Sequence, residues 1–347
     1  MKARVYKSTG SWYSVKTEPG LFYQARIKGV IKLDNRTSTN PIAVGDWVEC
    51  ETELDQPTLM ISDILDRDNY VARQSPHNKR QQHIIASNLD QSILLATLKS
   101  PKTSQGFIDR FLISCEAFHI PAIIVFNKSD IYGEKEMAIY EMMKEMYEAI
   151  GYKVFLISIE KQKGLDPIKE ILLNKTTLVS GHSGVGKSTF INYLFPDLDI
   201  DTQEVSDWSG KGMHTTTFAQ MYDMPTGGSV IDTPGMRELA LANMEKEVLA
   251  QYFPEMREKM SGCQFNNCQH INEPGCAVKA AVEKGLITKA RFYSYVDLWH
   301  GIETFKYYVL FILEFSFLNF ISLVLHWNLQ TNSHTLHSYL RFYLFRR

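Results

Sequence analysis

The sequence predicts a multidomain protein: a small N-terminal β-barrel, a central α/β domain with a largely parallel sheet, and a C-terminal helical region around a cysteine cluster. Three observations lead there. Residues 1 to about 70 are short runs rich in Val, Ile, Tyr and Trp, broken by Gly, Asn, Asp and Pro. From about residue 88, apolar runs of strand length alternate with amphipathic helical stretches. Three of the five cysteines then fall together, at Cys263, Cys268 and Cys276. The 347 residues suffice for two or three domains, and a composition 44% hydrophobic and 22% charged excludes a disordered chain.

In the N-terminal part, TGSWYSVKT, LFYQARIKGV, AVGDWVECE and LMISDIL read as strands. Strands this short close into a barrel to remove unpaired edges. A purely structural barrel and a nucleic-acid-binding OB barrel both fit, and RTSTN reads as a loop. VARQSPHNKRQQHI is polar and basic, and reads as a connector to the next domain. Its Arg73, Lys79 and Arg80 suit phosphate contacts or a solvated linker. A formal net charge of -2 does not indicate a globally basic nucleic-acid binder, though a local basic face is compatible with it. The opening MKARVYKSTG lacks the apolar run of a signal peptide.

In the central part, LDQSILLATL, PAIIVF, YKVFLIS, TTLVS and GGSVID read as buried strands. IDRFLISCEAFHI, KEMAIYEMMKEMYEAIG, GLDPIKEILLNK and KSTFINYLF read as helices. Sheets of this kind bind ligands beyond the carboxyl ends of their strands, where the chain carries its polar loops.

GHSGVGKS, Gly181 to Ser188, matches the full phosphate-loop pattern G-x-x-x-x-G-K-[ST] between a strand and a helix. Gly181, Gly184 and Gly186 let backbone N–H groups curl around phosphate. His182, Ser183 and Val185 complete the loop, and Thr189 follows on the helix whose positive end faces the anion. Lys187 reaches the β- and γ-phosphates, and Ser188 offers its hydroxyl to Mg²⁺. IDTPG delivers Asp232 to the Mg²⁺ shell and the Gly235 N–H to the γ-phosphate. In NKSD, Asp130 can accept both N–H groups of the guanine edge, which adenine lacks. Lys128 can lie over the base, Asn127 can fix the loop and approach N7, and Ser158 can support the base through its backbone. Between these motifs, GMHTTT supplies Thr215 and Thr216 as threonines that meet Mg²⁺ only when a γ-phosphate is present.

Cys263, Cys268, His270 and Cys276 form C-x4-C-x-H-x5-C, three thiolates and an imidazole that suit one tetrahedral structural Zn²⁺. The count is not that of a secreted disulfide scaffold and fits a reducing cytoplasm. Lys284, Lys289 and Arg291 nearby suit either nucleic-acid phosphates or a solvated face.

The order NKSD, ISI, GHSGVGKS, GMHTTT, IDTPG resembles that of the circularly permuted GTPases. With GDWVE, IDRFL, ASNLDQ and EPGCAVKAAVEKG, the chain resembles the ribosome small-subunit-dependent GTPase A family over about residues 1 to 300. The resemblance implies an OB-fold RNA-binding domain over 1–72, a circularly permuted GTPase domain over 73–240 and a helical zinc-binding domain over 241–304. It also implies GTP hydrolysis to GDP with Mg²⁺, stimulated by the 30S ribosomal subunit, and a role in late maturation of that subunit through contacts with 16S rRNA. A monomer in the cytoplasm is expected. The alternative is an RNA-binding, GTP-dependent switch acting on another RNA or a membrane-associated partner.

Lys187 and Asp232 are the electrostatic part of the catalytic set. The residue after DTPG is Met236, which cannot orient water as the glutamine of Ras-like enzymes does. The intrinsic rate is therefore expected to be low, and His214 is the local candidate for the missing group.

The resemblance stops before residues 305–347, an atypical apolar extension. Residues 305–327 approach the roughly 20 residues of a membrane span, but Glu314, Asn319 and His326 interrupt them. A membrane anchor, a packed helical cap and out-of-frame sequence are the three readings. The last is preferred, because soluble ribosome assembly has no evident use for a span.

Overall fold

Inward-facing buried side chains, alternating with partly exposed ones most regularly in β2, build the N-terminal strands β1 (Lys2–Ser8), β2 (Tyr13–Thr17), β3 (Phe22–Ile27), β4 (Trp47–Thr52) and β5 (Leu59–Ile64). They follow one another in the order β1-β2-β3-β5-β4, and β4 returns to β1 through Ala3 opposite Val48. The result is a closed five-stranded barrel of the OB type, filled by Ala3, Val5, Tyr13, Val15, Ala25, Val48 and Ile61. The computed structural model describes residues 1–28, 41–53, 56–74, 82–196, 219–233 and 245–301. RTSTN and the extension from 305 onward lie outside them.

The expected polar connector is in part regular structure. β6 (Tyr70–Gln74) and β7 (Gln82–Ser87) pair as an antiparallel hairpin. Val71, Ala72, Ile84 and Ala86 are buried on it, which outweighs the polar residues that suggested a solvated linker. Lys79 and Arg80 lie outside the described residues.

The central sheet runs β10 (Lys153–Leu156), β9 (Ala122–Phe126), β8 (Gln91–Ala96), β11 (Thr176–Ser180), β13 (Ser229–Asp232), β12 (Gln220–Asp223). The first five are mutually parallel and β12 is antiparallel to β13. β8 and β11 are buried at every position because helices cover both faces. α1 (Gln105–Ala117) and α2 (Glu134–Glu148) pack Ile108, Phe111, Met143 and Tyr147 on one face, against Leu94, Ile124 and Phe126. α3 (Asp166–Leu172) and α4 (Lys187–Leu194) pack Ile168, Leu172, Phe190 and Ile191 on the other, against Ile93, Leu95, Val125 and Val179.

The barrel is joined to this sheet by pairing of Lys7 with Gln220. Tyr6 Oη donates to Asp223 at 2.7 Å across the same seam. A second tie is Asp46 of GDWVE, fully buried, which accepts from Arg67 at 2.6 Å, Ser87 Oγ at 2.6 Å and the Ala43 N–H at 2.8 Å.

The C-terminal lobe contains α5 (Pro254–Arg257), α6 (Ala277–Glu283) and α7 (Lys289–His300). Arg291 on α7 is no rRNA contact: it is 1% exposed. It is ion-paired to Asp109 of α1 at 2.5 Å and to Glu255 of α5 at 2.7 Å. Lys284 and Lys289 do stay exposed. Among the described residues no helix is long and apolar enough to cross a membrane.

Candidate functional site

The parallel strands bring four loops to one edge of the sheet: Gly181–Ser188 after β11, Asn127–Asp130 after β9, Ser158 after β10 and Asp232–Thr233 at the end of β13. The phosphate loop has a backbone that side chains rarely adopt. Gly186 sits at φ +100°, where a Cβ would lie 2.5 Å from Asn127 Nδ2, and Gly181 at φ +151°, where one would meet Leu95 O at 2.5 Å. Val185 is fully buried, while Ser183, Gly184 and Thr189 are exposed. Gly186 caps α4, so the positive end of that helix closes the loop at Lys187 and Ser188.

Register sets Asp232 opposite Val179, next to the phosphate loop's own strand. Burial pushes its carboxyl up to about 6, with Lys187 opposing. Burial also lowers Lys187, and Asp232 offsets part of that. Beside them Ser180 Oγ and Thr233 Oγ1 are buried without a hydrogen-bond partner. Orphaned polar atoms at the open edge are what a phosphate, its Mg²⁺ or their water would complete. The residues present thus fit Mg²⁺ with a nucleotide.

Asn127 is the clamp between the loops. Its Nδ2 donates to Val185 O at 2.9 Å and its Oδ1 accepts from Ile159 N at 3.2 Å. Asp130 is exposed, with Oδ1 anchored by Ser158 Oγ at 2.5 Å. The Ser158 backbone N–H and C=O both pair with Lys163, so its contact with Asp130 runs through the hydroxyl. Lys128 is left-handed at φ +65°, and its Nζ donates to Ser100 O at 2.7 Å.

Motif reading missed the loop between β8 and α1. Tyr132 Oη donates to Asn127 O at 2.6 Å and accepts from Leu98 N at 2.8 Å, tying that loop to NKSD. His182 lies 2.7 Å from Thr103 on the same loop. The only sequence signal was position: TLKSPKTS follows a buried strand, where such sheets bind ligands. His214, Thr215, Thr216, Gly235 and Met236 lie outside the described residues.

A second site lies in the C-terminal lobe. One donor atom each from Cys263, Cys268, His270 and Cys276 falls within 4.8 Å of the others. His270 Nδ1 faces Cys263 Sγ at 3.6 Å and Cys276 Sγ at 3.4 Å. The Lys279 N–H donates to Cys276 Sγ at 3.4 Å, a contact that favours thiolate. Burial pushes Cys268 up to about 12 and raises Cys276, and a cation at the centre would favour their thiolates. Three sulfurs and one nitrogen without an open position fit a structural Zn²⁺. One equivalent of zinc per chain is expected by elemental analysis, and chelation should raise hydrogen exchange over residues 263–300 while sparing 176–196. Unchanged exchange after chelation would remove the metal from the folding of this lobe.

The sequence profile described as RsgA GTPase matches residues 64–242, and the RsgA N-terminal domain profile matches residues 2–59. "Small ribosomal subunit biogenesis GTPase RsgA" of Cytophaga hutchinsonii is 56% identical over 307 residues, covering 88% of this chain and 100% of that protein. Its namesake in Christiangramia forsetii is 45% identical, covering 87% and 97%. Among solved structures, YjeQ from Thermotoga maritima superposes with a TM-score of 0.71 at 32% identity, covering 87% of this chain and 98% of that one. YloQ, described as a circularly permuted GTPase, gives 0.66 at 31% identity, covering 87% and 94%. With the phosphate loop, the NKSD loop and the cysteine centre in one chain, and that identity over nearly the whole of its relatives, the chain belongs to the RsgA GTPase family.

Proposed function

We propose that this GTP hydrolase of small ribosomal subunit biogenesis works on the 30S subunit itself, in late maturation, contacting its 16S rRNA, and that the subunit raises its turnover. The observation that carries this reading is the convergence of a phosphate loop, a carboxylate for guanine and a buried acidic strand end on one sheet edge. The barrel and the cysteine centre flank the same domain.

Asp130 reads the N1 and N2 donors of guanine while Lys128 covers the base. Asn127 holds the base loop against the phosphate loop. Gly181 to Ser188 surround the phosphates, and Lys187 meets the charge that develops on the transferred phosphoryl group. Ser188 and Asp232, with Thr215 or Thr216 in the GTP state, would hold Mg²⁺, which would supply positive charge to offset that of the phosphates. Gly235 meets the γ-phosphate. Methionine at 236 leaves the attacking water without a local orienting amide. His214 or the subunit supplies that function. The protein acts as a cytoplasmic monomer.

Competition binding tests the nucleotide assignment. GTP and GDP should displace a fluorescent guanine nucleotide and ATP should not. Lys187→Ala should lower turnover about a hundredfold. Equal competition by ATP would overturn the assignment.

A further inference from the structure

The side chain of His182 has no part in the reading above, which uses the phosphate loop's glycines, lysine and serine. Yet it is held at every polar atom. Nδ1 lies 3.1 Å from Ser183 O, and Nε2 lies 2.7 Å from Thr103 Oγ1. Phe107 meets the ring edge-on at 5.5 Å between centroids. Thr103 is 1% exposed and already accepts the Thr97 N–H at 2.9 Å, while its own N–H donates to Thr97 O at 2.7 Å.

These contacts select one tautomer. A carbonyl oxygen can only accept, so Nδ1 carries the proton and donates to Ser183 O. Nε2 of a neutral ring is then an acceptor, and the Thr103 hydroxyl hydrogen fills it. The environment keeps the ring neutral. Burial lowers its basicity most, the Ser183 carbonyl opposes, and the charges of Lys187 and Lys128 reinforce the lowering.

The consequence lies one peptide further on. The Ser183–Gly184 unit is planar, with C=O and N–H on opposite sides. Holding the Ser183 oxygen therefore fixes the direction of the Gly184 N–H. Gly184 sits at φ +81°, in a region that leaves a free glycine many alternatives. Among the described residues no backbone acceptor takes that N–H.

We infer that His182 is a positioning residue: braced by Thr103, it fixes the Ser183–Gly184 peptide so that the Gly184 N–H is aimed in advance at the β- and γ-phosphates. The phosphate loop is thereby tied to the start of α1. This inference rests on the nucleotide site proposed above.

The test uses the full chain and labelled GDP, with GMP as a probe that lacks the distal phosphates. His182→Ala should weaken GDP about tenfold, leave GMP competition unchanged and leave the thermal midpoint unchanged. His182→Gln, whose amide can still donate to a carbonyl and accept from a hydroxyl, should recover most of the loss. Thr103→Val should reproduce it in part, and Thr103→Ser should not. Wild-type GDP affinity in His182→Ala would overturn the inference. So would an equal loss for GMP and GDP, which marks general damage to the loop. Lys187→Ala separates the two levels. If GDP binding ignores Lys187, the nucleotide site itself has been misassigned. If it collapses while His182→Ala binds normally, only the role of His182 fails.

Discussion

Arg291→Ala should destabilise the protein by about 3–5 kcal/mol, the range for breaking a buried ion pair from one side. The guanidinium lies between the carboxylates of Asp109, fully buried, and Glu255, 6% exposed. Tyr147 Oη donates to Asp109 at 2.7 Å, and the Phe253 ring lies 4.6 Å from the guanidinium carbon. Removing the cation strands two carboxylates in an apolar surrounding, one on the central domain and one on the C-terminal lobe. Its counterpart on the surface, Arg257 with Glu116 at 3.1 Å, has the arginine 54% exposed. That pair should be worth about 0–1 kcal/mol. Urea unfolding of Arg291→Ala beside Arg257→Ala measures the contrast. Equal and small shifts would mean that the α1–α7 contact holds without the charge pair. Because the pair joins α1 to α7, the lobe carrying the cysteine centre should also lose hydrogen-exchange protection in Arg291→Ala.

The second large effect is on base choice. Asp130→Asn should weaken GTP by roughly 10²–10⁴-fold, from two hydrogen bonds to a charged group at about 1.5–3 kcal/mol each. It should strengthen binding of the xanthine nucleotide. Guanine presents two donors, N1–H and the N2 amino group, and a carboxylate accepts both. An amide accepts one and donates with its other end, which suits the C2 carbonyl of xanthine. Ser158 Oγ, 2.5 Å from Oδ1, can still anchor the side chain, so the swap changes chemistry more than position. Competition of GTP against xanthosine triphosphate reads the ratio. An Asp130→Asn protein that still prefers GTP would remove Asp130 from base recognition.

These two residues were unequally legible in the sequence. Asp130 lies in a four-residue motif after an apolar strand, and every part of its reading is local. The same holds for Gly181 to Ser188 and for the cysteine spacing. Arg291 belongs to a contact 182 residues apart in sequence. In AVEKGLITKARF it looks like its exposed neighbours Lys284 and Lys289, because periodicity does not say what a helix face meets. His182 and Thr103 are 79 residues apart, and neither hydroxyl nor imidazole carries a spacing rule. β1 and β12 were missed as a seam because the pairing of Lys7 with Gln220 joins the two domains, which no local pattern encodes. The β6–β7 hairpin was hidden by the opposite effect: its polar residues outnumbered the few buried apolar ones that set the structure.

The most direct measurement is GTP turnover by the full chain with and without purified 30S subunits, with 50S subunits and ATP as controls. Slow turnover alone and strong stimulation by 30S subunits only is the expected result, since Met236 leaves the site without a water-orienting amide of its own. Turnover that is the same with 30S subunits, with 50S subunits and without either would contradict it.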